Sequence, residues 1–298
     1  MTCARCSSAH AATFGKHLIE RHLGIPVAAA APNIATIYHR QLRLNNTLLL
    51  IISQSGRSDD LTAFAQMGKA AGALTAAIVN DTESPLAATC DIVLPMAAGA
   101  EMSVAATKSF VASLAVLLRL TAGWMNDDAL RAAIERLPDR LAAATELDWS
   151  SAARILAAAN SLVAIGRGPT LAIAREAALK LKETCNLHAE AFSGAEFQHG
   201  PVALVSALYP ILLFMPTDAA ATGLRELAAD LRRKGAVLFT ADYDERAEGR
   251  LPVLKPDHPD ADAVCLVQSF YALAVRVAGE RGTDVDRPRH LQKVTRTR

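Results

Sequence analysis

Short uncharged runs alternate along the chain with longer segments of helical spacing. The clearest run, residues 48–52, holds five aliphatic side chains, which is typical of a parallel strand covered on both faces. Residues 59–69 follow it with apolar positions at helical spacing, and residues 72–81 and 91–95 predict further strands. Strands that alternate with helices predict an α/β fold with a doubly wound parallel sheet.

Several other segments fit this pattern. Residues 1–8 predict the end of a strand that opens onto a loop before a helix, and residues 34–38 a short helical piece. Residues 104–122 predict one long, mostly apolar helix. The charged amphipathic segment 126–146 predicts a helix that bridges two halves.

The two halves resemble each other at a nearly constant spacing. Arg5 and Arg167 lie in similar contexts 162 positions apart, and residues 211–215 repeat the apolar run 48–52 at a spacing of 163. Residues 234–238 repeat 71–75 at the same spacing, which predicts two copies of one α/β unit. We therefore expect a first domain over 1–125, a helical linker over 126–148, a second domain over 149–282 and a C-terminal loop over 283–298.

The first apolar run stops at Ser53-Gln54-Ser55-Gly56-Arg57-Ser58. This loop would lie where a strand ends and a helix begins, which is where backbone N–H groups and the helix dipole favour an anion. Gly56 would let the backbone come close, while the serine hydroxyls and the Gln54 amide offer donors. A phosphate site and an ordinary serine-rich helix cap both fit this pattern.

The second half differs in the residues it carries. Its counterpart of the loop is residues 216–219, where Asp218 and the missing glycine would disfavour a phosphate. Further candidates are Glu176, Lys180 and Glu183, which share one helical face, and His199 before a Gly-Pro pair. A solvated salt-bridge ladder and a surface turn histidine are the alternatives.

Composition and charge limit the kinds of partner and compartment that we expect for this chain. Thirty-one basic and thirty acidic residues give a net charge of +1 without blocks of like charge, so we expect no nucleic-acid or membrane partner. Apolar stretches such as 111–118 are too short to span a bilayer, and no signal peptide is recognised. Five scattered cysteines fit a reducing cytoplasm, and the Cys3–Cys6 pair lacks a second pair for a metal.

Six motifs in family order carry a resemblance across nearly the whole chain. They are residues 53–56 (Ser-Gln-Ser-Gly), 101–108 (Glu-Met-Ser-Val-Ala-Ala-Thr-Lys), 179–183 (Leu-Lys-Leu-Lys-Glu), 188–191 (His-Ala-Glu-Ala), 199–201 (His-Gly-Pro) and 286–293. The chain resembles the paired sugar-isomerase (SIS) domains of glucosamine-6-phosphate synthase, and more closely the synthase-like glucosamine-6-phosphate deaminases and phosphosugar isomerases. The resemblance implies two SIS domains, each a flavodoxin-like three-layer arrangement of helices around a parallel sheet.

The resemblance also implies roles for single residues. Glu183 would move the proton between C1 and C2, and His199 would open the sugar ring from the partner subunit of a homodimer. Lys293 would come from the C-terminal loop, with Lys180 beside it. The phosphate and the sugar would be held by six residues: Ser53, Gln54, Ser55 and Ser58 on the phosphate, and Ser8 and Val104 along the sugar.

This assignment implies isomerisation of a sugar 6-phosphate with no metal and no organic cofactor. Because the glutaminase machinery of the synthases has no match here, we expect glucosamine 6-phosphate to be converted to fructose 6-phosphate with release of ammonia. A sugar-phosphate-binding regulatory module that does not turn its ligand over is the alternative, and so is an isomerase of another sugar phosphate. A sensor would not need Glu183, His199 and Lys293 together.

Three positions depart from the family pattern. Met1 begins inside the segment that precedes the first strand in the family. Cys6 stands where the loop normally has glycine, and Ala106 replaces a serine that the synthases use near the sugar. Cys3 does not replace the N-terminal nucleophile of the glutaminase domain.

Overall fold

The structure is a computed structural model in which residues 1–293 are described; the end of the predicted C-terminal loop, 294–298, lies outside them. The chain packs as two compact units. One comprises Met1–Thr121 with the segment from His290, and the other comprises Ala122–Arg289. The domain boundaries expected from the sequence stay predictions, and each unit is described here by itself.

The first unit is a parallel sheet with helices between its strands. Its strands are β1 (Thr2–Ala4), β2 (Leu48–Ser53), β3 (Leu74–Val79) and β4 (Ile92–Pro95), hydrogen-bonded in the order β1-β2-β3-β4. Its helices are α1 (Cys6–Leu23), α2 (Asn33–Thr36), α3 (Asp59–Ala70), α4 (Pro85–Thr89) and α5 (Lys108–Met125), the last of which continues into the second unit.

The aliphatic run of β2 forms the centre of the first sheet. Leu49, Ile51 and Ile52 are fully buried, and β2 pairs with β1 on one side and with β3 on the other. A strand covered on both faces needs apolar side chains at every position, which explains the unbroken run. The three strand-to-helix connections therefore place their loops at the same carboxyl edge of the sheet.

The second unit surrounds a five-stranded parallel sheet. Its strands are β5 (Ser161–Gly166), β6 (His188–Ser193), β7 (Pro210–Phe214), β8 (Val237–Ala241) and β9 (Arg250–Leu251), in the order β6-β5-β7-β8-β9. Its helices are α6 (Asp128–Thr145), α7 (Ser150–Ala158), α8 (Thr170–Cys185), α9 (Gly194–Gln198), α10 (Ala221–Arg233) and α11 (Pro259–Glu280), with a 3₁₀ turn at Pro201–Leu204.

Two expectations about the fold need correction, and one strand was missed. The doubly wound order, which reverses direction along the sheet, holds only for the second unit, since the first sheet runs in sequence order. The long apolar helix begins at Lys108 rather than at Val104, because the Glu101 carboxylate holds the preceding residues in a loop. Strand β6 was not predicted, because its exposed and buried positions do not form an apolar run.

The sequence predicted that the apolar segments are too short to span a bilayer. Judged by length and composition alone, this prediction is wrong for two helices. Helices α5 and α11 each contain an 18-residue window that is apolar enough to cross a membrane. Half of that window in α5 and 78% of it in α11 are buried within the fold, however. Helix α11 packs against α6, α7 and α8, which is the position of a core helix.

Candidate functional site

The predicted phosphate loop closes on its own hydroxyl groups. Ser53 ends β2 with only 6% exposure, and its Oγ accepts a hydrogen bond from the Gly56 N–H at 3.1 Å. The Ser55 Oγ accepts from the Arg57 N–H at 3.3 Å. Ser58 is the N-cap residue of α3, yet its side chain makes no capping bond. The serines therefore shape the loop and do not serve as an ordinary helix cap, the alternative that the sequence left open.

Gly56 is required by the backbone of this loop. Its φ is +62°, and a Cβ at this position would lie 2.0 Å from the Oγ of Ser84. Ser84 is itself fixed, because its Oγ accepts from the Ala87 N–H at the start of α4. The Gln54 carbonyl accepts from the Asn80 N–H at 3.1 Å, so the loops after β2 and β3 support each other.

Ser8 lies in the first turn of α1, not in a loop, because the helix begins at Cys6. The end of β1 pairs with β2 at Ala4 and Ile52, so α1 starts at the same sheet edge as the phosphate loop. Cys6 has a φ of 47°, in the left-handed region that glycine adopts most easily. Cys6 stands where the family pattern has glycine, and it thus carries a side chain on a backbone conformation that glycine adopts most easily.

An ion pair that sequence reasoning missed joins Arg5, the residue after β1, to the first turn of α3, just beyond the predicted phosphate loop. The Arg5 Nε donates to the Asp60 Oδ2 at 2.9 Å, and the Arg5 Nη2 lies 2.5 Å from the same oxygen. Asp60 is 2% exposed in the first turn of α3, while Arg5 is 47% exposed. Nothing in the sequence separates Asp60 from its neighbour Asp59, since only burial against Arg5 distinguishes the two.

Val104 and Lys293 meet in the first unit. Val104 is half-buried in the loop that Glu101 organises, where the Glu101 carboxylate accepts from the backbone N–H groups of Thr107 and Ser109 at 3.0 and 3.1 Å. The Lys293 ammonium donates to the carbonyl of Ser103, directly beside Val104. Glu101 lies within a motif that the sequence singled out, but its role as an organiser of this loop was not predicted.

The three candidate charges of α8 lie on its covered face. Glu176 is 0% exposed, Lys180 is 2% exposed and Glu183 is 18% exposed. The Lys180 ammonium lies 3.6 Å from a Glu176 oxygen and is hydrogen-bonded to Glu183. Tyr271 of α11 donates its hydroxyl proton to Glu176 at 3.3 Å. A solvated salt-bridge ladder, the alternative from sequence, is therefore wrong.

Electrostatics keeps Lys180 charged. Burial alone would lower the pKa of Lys180, but Glu176 and Glu183 together raise the pKa above its ordinary value. Glu183 is the most accessible member of the cluster, and it lines a cavity of about 330 Å³ with Arg287 and Arg289. A carboxylate beside a permanent ammonium, with access to a cavity, can accept and return a proton.

His199 lies apart from this cluster within the second unit. It ends α9 with an exposed side chain, and its backbone N–H bonds to the Glu196 carbonyl at 3.0 Å. Across residues 1–293 its imidazole has no hydrogen-bond partner. The structure thus brings Lys180 and Glu183 together but not His199.

The cysteines give no sign of a metal or a disulfide. None of the five cysteines forms a disulfide, and burial raises the pKa of Cys3 to about 12. Such a thiol is a poor metal ligand, because zinc binds the thiolate. In the described part of the chain, no three His, Cys, Asp or Glu side chains are grouped to hold an ion.

The chain is similar in sequence to curated proteins over nearly its whole length. The chain is 33% identical over 303 residues to the glutamine–fructose-6-phosphate aminotransferase (isomerizing) of Caulobacter vibrioides, which covers 95% of this chain and 49% of the relative. The chain thus spans about half the length of the curated relatives it matches.

Two solved structures are similar to this chain over nearly its whole length. A candidate phosphosugar isomerase from Silicibacter pomeroyi has a TM-score of 0.90 and 43% identity, over 96% of this chain and 87% of that one. The C-terminal domain of glucosamine–fructose-6-phosphate aminotransferase from Francisella tularensis has a TM-score of 0.82 and 26% identity, over 96% and 86%.

The profile of the SIS domain matches residues 1–122 and 155–241, which is more than half of the chain. The match includes both the phosphate loop and the helix with the buried charges. The chain belongs to the SIS domain family, and it resembles the isomerase half of glucosamine-6-phosphate synthase.

Proposed function

We propose that this protein is a phosphosugar isomerase that converts glucosamine 6-phosphate to fructose 6-phosphate with release of ammonia. The observation that carries the proposal is Glu183, a carboxylate held by the buried Lys180 and open to a cavity. A buried lysine between two glutamates is expensive in free energy, and packing alone gives no reason to keep it. A proton-transfer site gives such a reason.

In this reaction Glu183 accepts the proton from C2 of the open-chain sugar and returns it to C1. Electrons from the C2–H bond form a C1–C2 double bond while the C1 oxygen takes up a proton, which gives an enolamine. Reprotonation at C1 leaves an imine at C2, and water releases it as ammonia and the ketose. Lys180 is suited to holding the Glu183 carboxylate by a charged hydrogen bond, because its own pKa is raised.

The phosphate of the substrate is assigned to the loop of the first unit. Helix α3 begins directly after Ser58, so the loop carries the partial positive charge of a 12-residue helix. The hydroxyl protons of Ser53 and Ser55 remain available, because both oxygens act as acceptors within the loop. Ser8 and Val104 would line the sugar, and Lys293 would lie near Val104.

We further propose a homodimer with shared active sites. The exposed His199 supports this, because a ring-opening histidine without a partner in its own unit can serve a neighbouring subunit. Two copies of one ancestral unit are also part of the proposal. Left-handed backbone at Cys6 and at Gly168, 162 positions apart, supports the duplication.

A coupled assay tests the function directly. Purified protein is incubated with glucosamine 6-phosphate, and both ammonia and fructose 6-phosphate are measured. We expect equal amounts of the two products. Ketose from glucose 6-phosphate or another sugar phosphate without ammonia would replace the deaminase by a plain isomerase.

A non-catalytic sensor is the remaining alternative. It predicts that sugar phosphate raises the melting temperature while none of the tested sugar phosphates is turned over. Deuterium from solvent at C2 of recovered substrate would exclude the sensor, since only proton transfer introduces it.

A further inference from the structure

The turn of α8 that carries Glu183 is the last turn of that helix. Helix α8 ends at Cys185, and Asn186 follows in the left-handed conformation with a φ of 49°. The last carbonyl groups of an α-helix have no N–H partner within the helix, so their donors come from elsewhere. Glu183 lies just before this end, and whatever binds these carbonyl groups therefore also fixes the backbone of the proposed base.

A single guanidinium group supplies most of the missing donors. Arg281, directly after α11, is half-buried, and its Nε donates to the carbonyl of Cys185 at 2.7 Å, while its Nη2 donates to that of Asn186 at 3.3 Å. Its Nη1 donates to the carbonyls of Ala157 and Ala159 at 2.6 and 3.1 Å, at the end of α7. Arg281 thus joins the carboxyl ends of two helices.

Arg281 is committed to backbone carbonyl groups. Across residues 1–293 it makes no ion pair with a carboxylate. A guanidinium group has five N–H donors, and the four hydrogen bonds to carbonyl groups leave only one of them for anything else. The partial negative charge of helix carboxyl ends favours a cation here, and the planar fork of arginine reaches both ends at once. These contacts indicate a residue that holds backbone and does not bind substrate.

Thr283 adds a second contact to the same turn. Its Oγ1 donates at 2.6 Å to the carbonyl of Thr184, the residue next to Glu183. The Thr283 N–H donates to the carbonyl of Ala278 at 2.9 Å, which ties Thr283 to the last turn of α11. Arg281, Thr283 and Glu183 all line the cavity of about 330 Å³ described above. The end of α11 therefore holds the turn of α8 from which the proposed base opens onto this cavity.

We propose that Arg281 is a positioning residue for the proton transfer assigned to Glu183. Its guanidinium group fixes the last turn of α8, with Thr283 as a second contact, so that the Glu183 carboxylate stays on Lys180 and open to the cavity. This role rests on the proposed function, because a positioning residue needs a base to position. A misplacement of about 1 Å at a reacting group costs about 10²-fold in rate, so loss of Arg281 should slow the chemical step.

Steady-state kinetics of Arg281→Met tests this role. Methionine keeps the apolar stem but removes every donor, and we expect kcat per folded molecule to fall about 10- to 100-fold while KM changes less than about twofold. Near-UV circular dichroism measures the folded fraction. Arg276→Met is the matched control, because Arg276 is an exposed arginine of α11, and its kcat and KM should equal those of the wild type.

Two further measurements separate positioning from stability. Thr283→Val removes one donor and keeps the shape of the side chain, so it should lower kcat in the same direction but by less. It also covers the case that Arg281→Met does not fold. Amide hydrogen exchange in Arg281→Met should become faster over residues 181–188, at the end of α8, and stay unchanged over residues 170–178, at its start.

The possible failures can be told apart. A kcat that falls only with the folded fraction, a raised KM with unchanged kcat, or wild-type kinetics in Arg281→Met would each overturn the positioning role. Wild-type protein that neither releases ammonia nor exchanges the C2 hydrogen of any tested sugar phosphate would overturn the proposed function and the positioning role with it. Amide exchange distinguishes the two cases, since it responds to the hold of Arg281 on α8 and not to turnover.

Discussion

Helices α1 and α8, which follow the first strand of each sheet, begin beside the left-handed residues Cys6 and Gly168 but bury opposite kinds of side chain. Phe14 and Leu18 of α1 are fully buried apolar residues. At the positions 162 residues later, α8 has Glu176 and Lys180, which are buried to the same degree. The second unit thus holds a buried ion cluster where the first holds ordinary core. The comparison separates residues that fold the chain from residues to which we assign the reaction.

The sheet edges differ in the same way. The first has a glycine-dependent loop of hydroxyl groups, and the second has a loop with Asp218 in front of an acidic cavity, which Asp242 also lines. One backbone arrangement therefore presents two chemistries, since loops at the carboxyl edge can change without altering the core. The five predictions that follow test this division of roles.

Glu183→Gln should give the largest effect. The variant keeps the size and the hydrogen bonding of the side chain but removes the base, so kcat should fall by about 10²–10⁴ while substrate affinity is retained. Steady-state kinetics measures kcat, and calorimetric titration measures the substrate affinity. Glu226→Gln, at an exposed position of α10, is the control. Solvent-deuterium exchange at the wild-type rate in Glu183→Gln would place the base elsewhere, with His199 the next candidate.

Lys180→Met should destabilise the second unit by about 3–5 kcal/mol, because two buried carboxylates lose their counter-charge. Urea unfolding measures this loss, and Lys182→Met at the exposed neighbouring position should have little effect. Since the folded-state pKa of Lys180 is raised, its contribution is complete below pH 10.5 and lost as pH rises through that pKa.

A double variant separates stability from activity in the same cluster. The double variant Glu176→Met with Lys180→Leu gives α8 apolar residues at the positions where α1 has them. Its free energy of unfolding should recover most of what Lys180→Met loses, while the double variant should have no activity. Recovery of activity along with stability would mean that the cluster serves packing only.

Ser55→Ala should weaken phosphate binding by about 1.5–3 kcal/mol, because one charge-assisted donor is lost. The effect should appear mainly as a raised KM with little change in kcat. Ser206→Ala, at an exposed position of the second unit, serves as the control. A wild-type KM in Ser55→Ala would refute the assignment of the phosphate to this loop.

Gly56→Ala and Gly223→Ala should shift stability in opposite directions. At Gly56 a Cβ meets Ser84 and the left-handed backbone adds about 1–2 kcal/mol of strain. At Gly223, in α10, a Cβ has open space, so alanine should stabilise the helix by up to about 1 kcal/mol. Thermal unfolding measures the change in melting temperature of each variant. Equal changes in the two variants would contradict the close packing inferred at Gly56.

The sequence by itself determined the α/β class, because fully covered parallel strands require unbroken aliphatic runs such as that of β2. It also located the hydroxyl-rich loop after β2 and the charged face of α8, since hydroxyl clusters and helical spacing are local features. Strand β6 could not be predicted from an aliphatic run, because Ala189 is its one fully buried residue and its other positions are exposed or half-buried.

Tertiary structure decided which charges matter. Asp59 and Asp60 are indistinguishable in sequence, but only Asp60 is buried against Arg5. The charges of α8 read equally well as a solvated ladder until α11 covers them, with Tyr271 on Glu176. The acidic cavity around Asp242 draws on segments far apart in the chain, from α6 to α11. Burial depends on what packs against a residue, and that information is not local in the sequence.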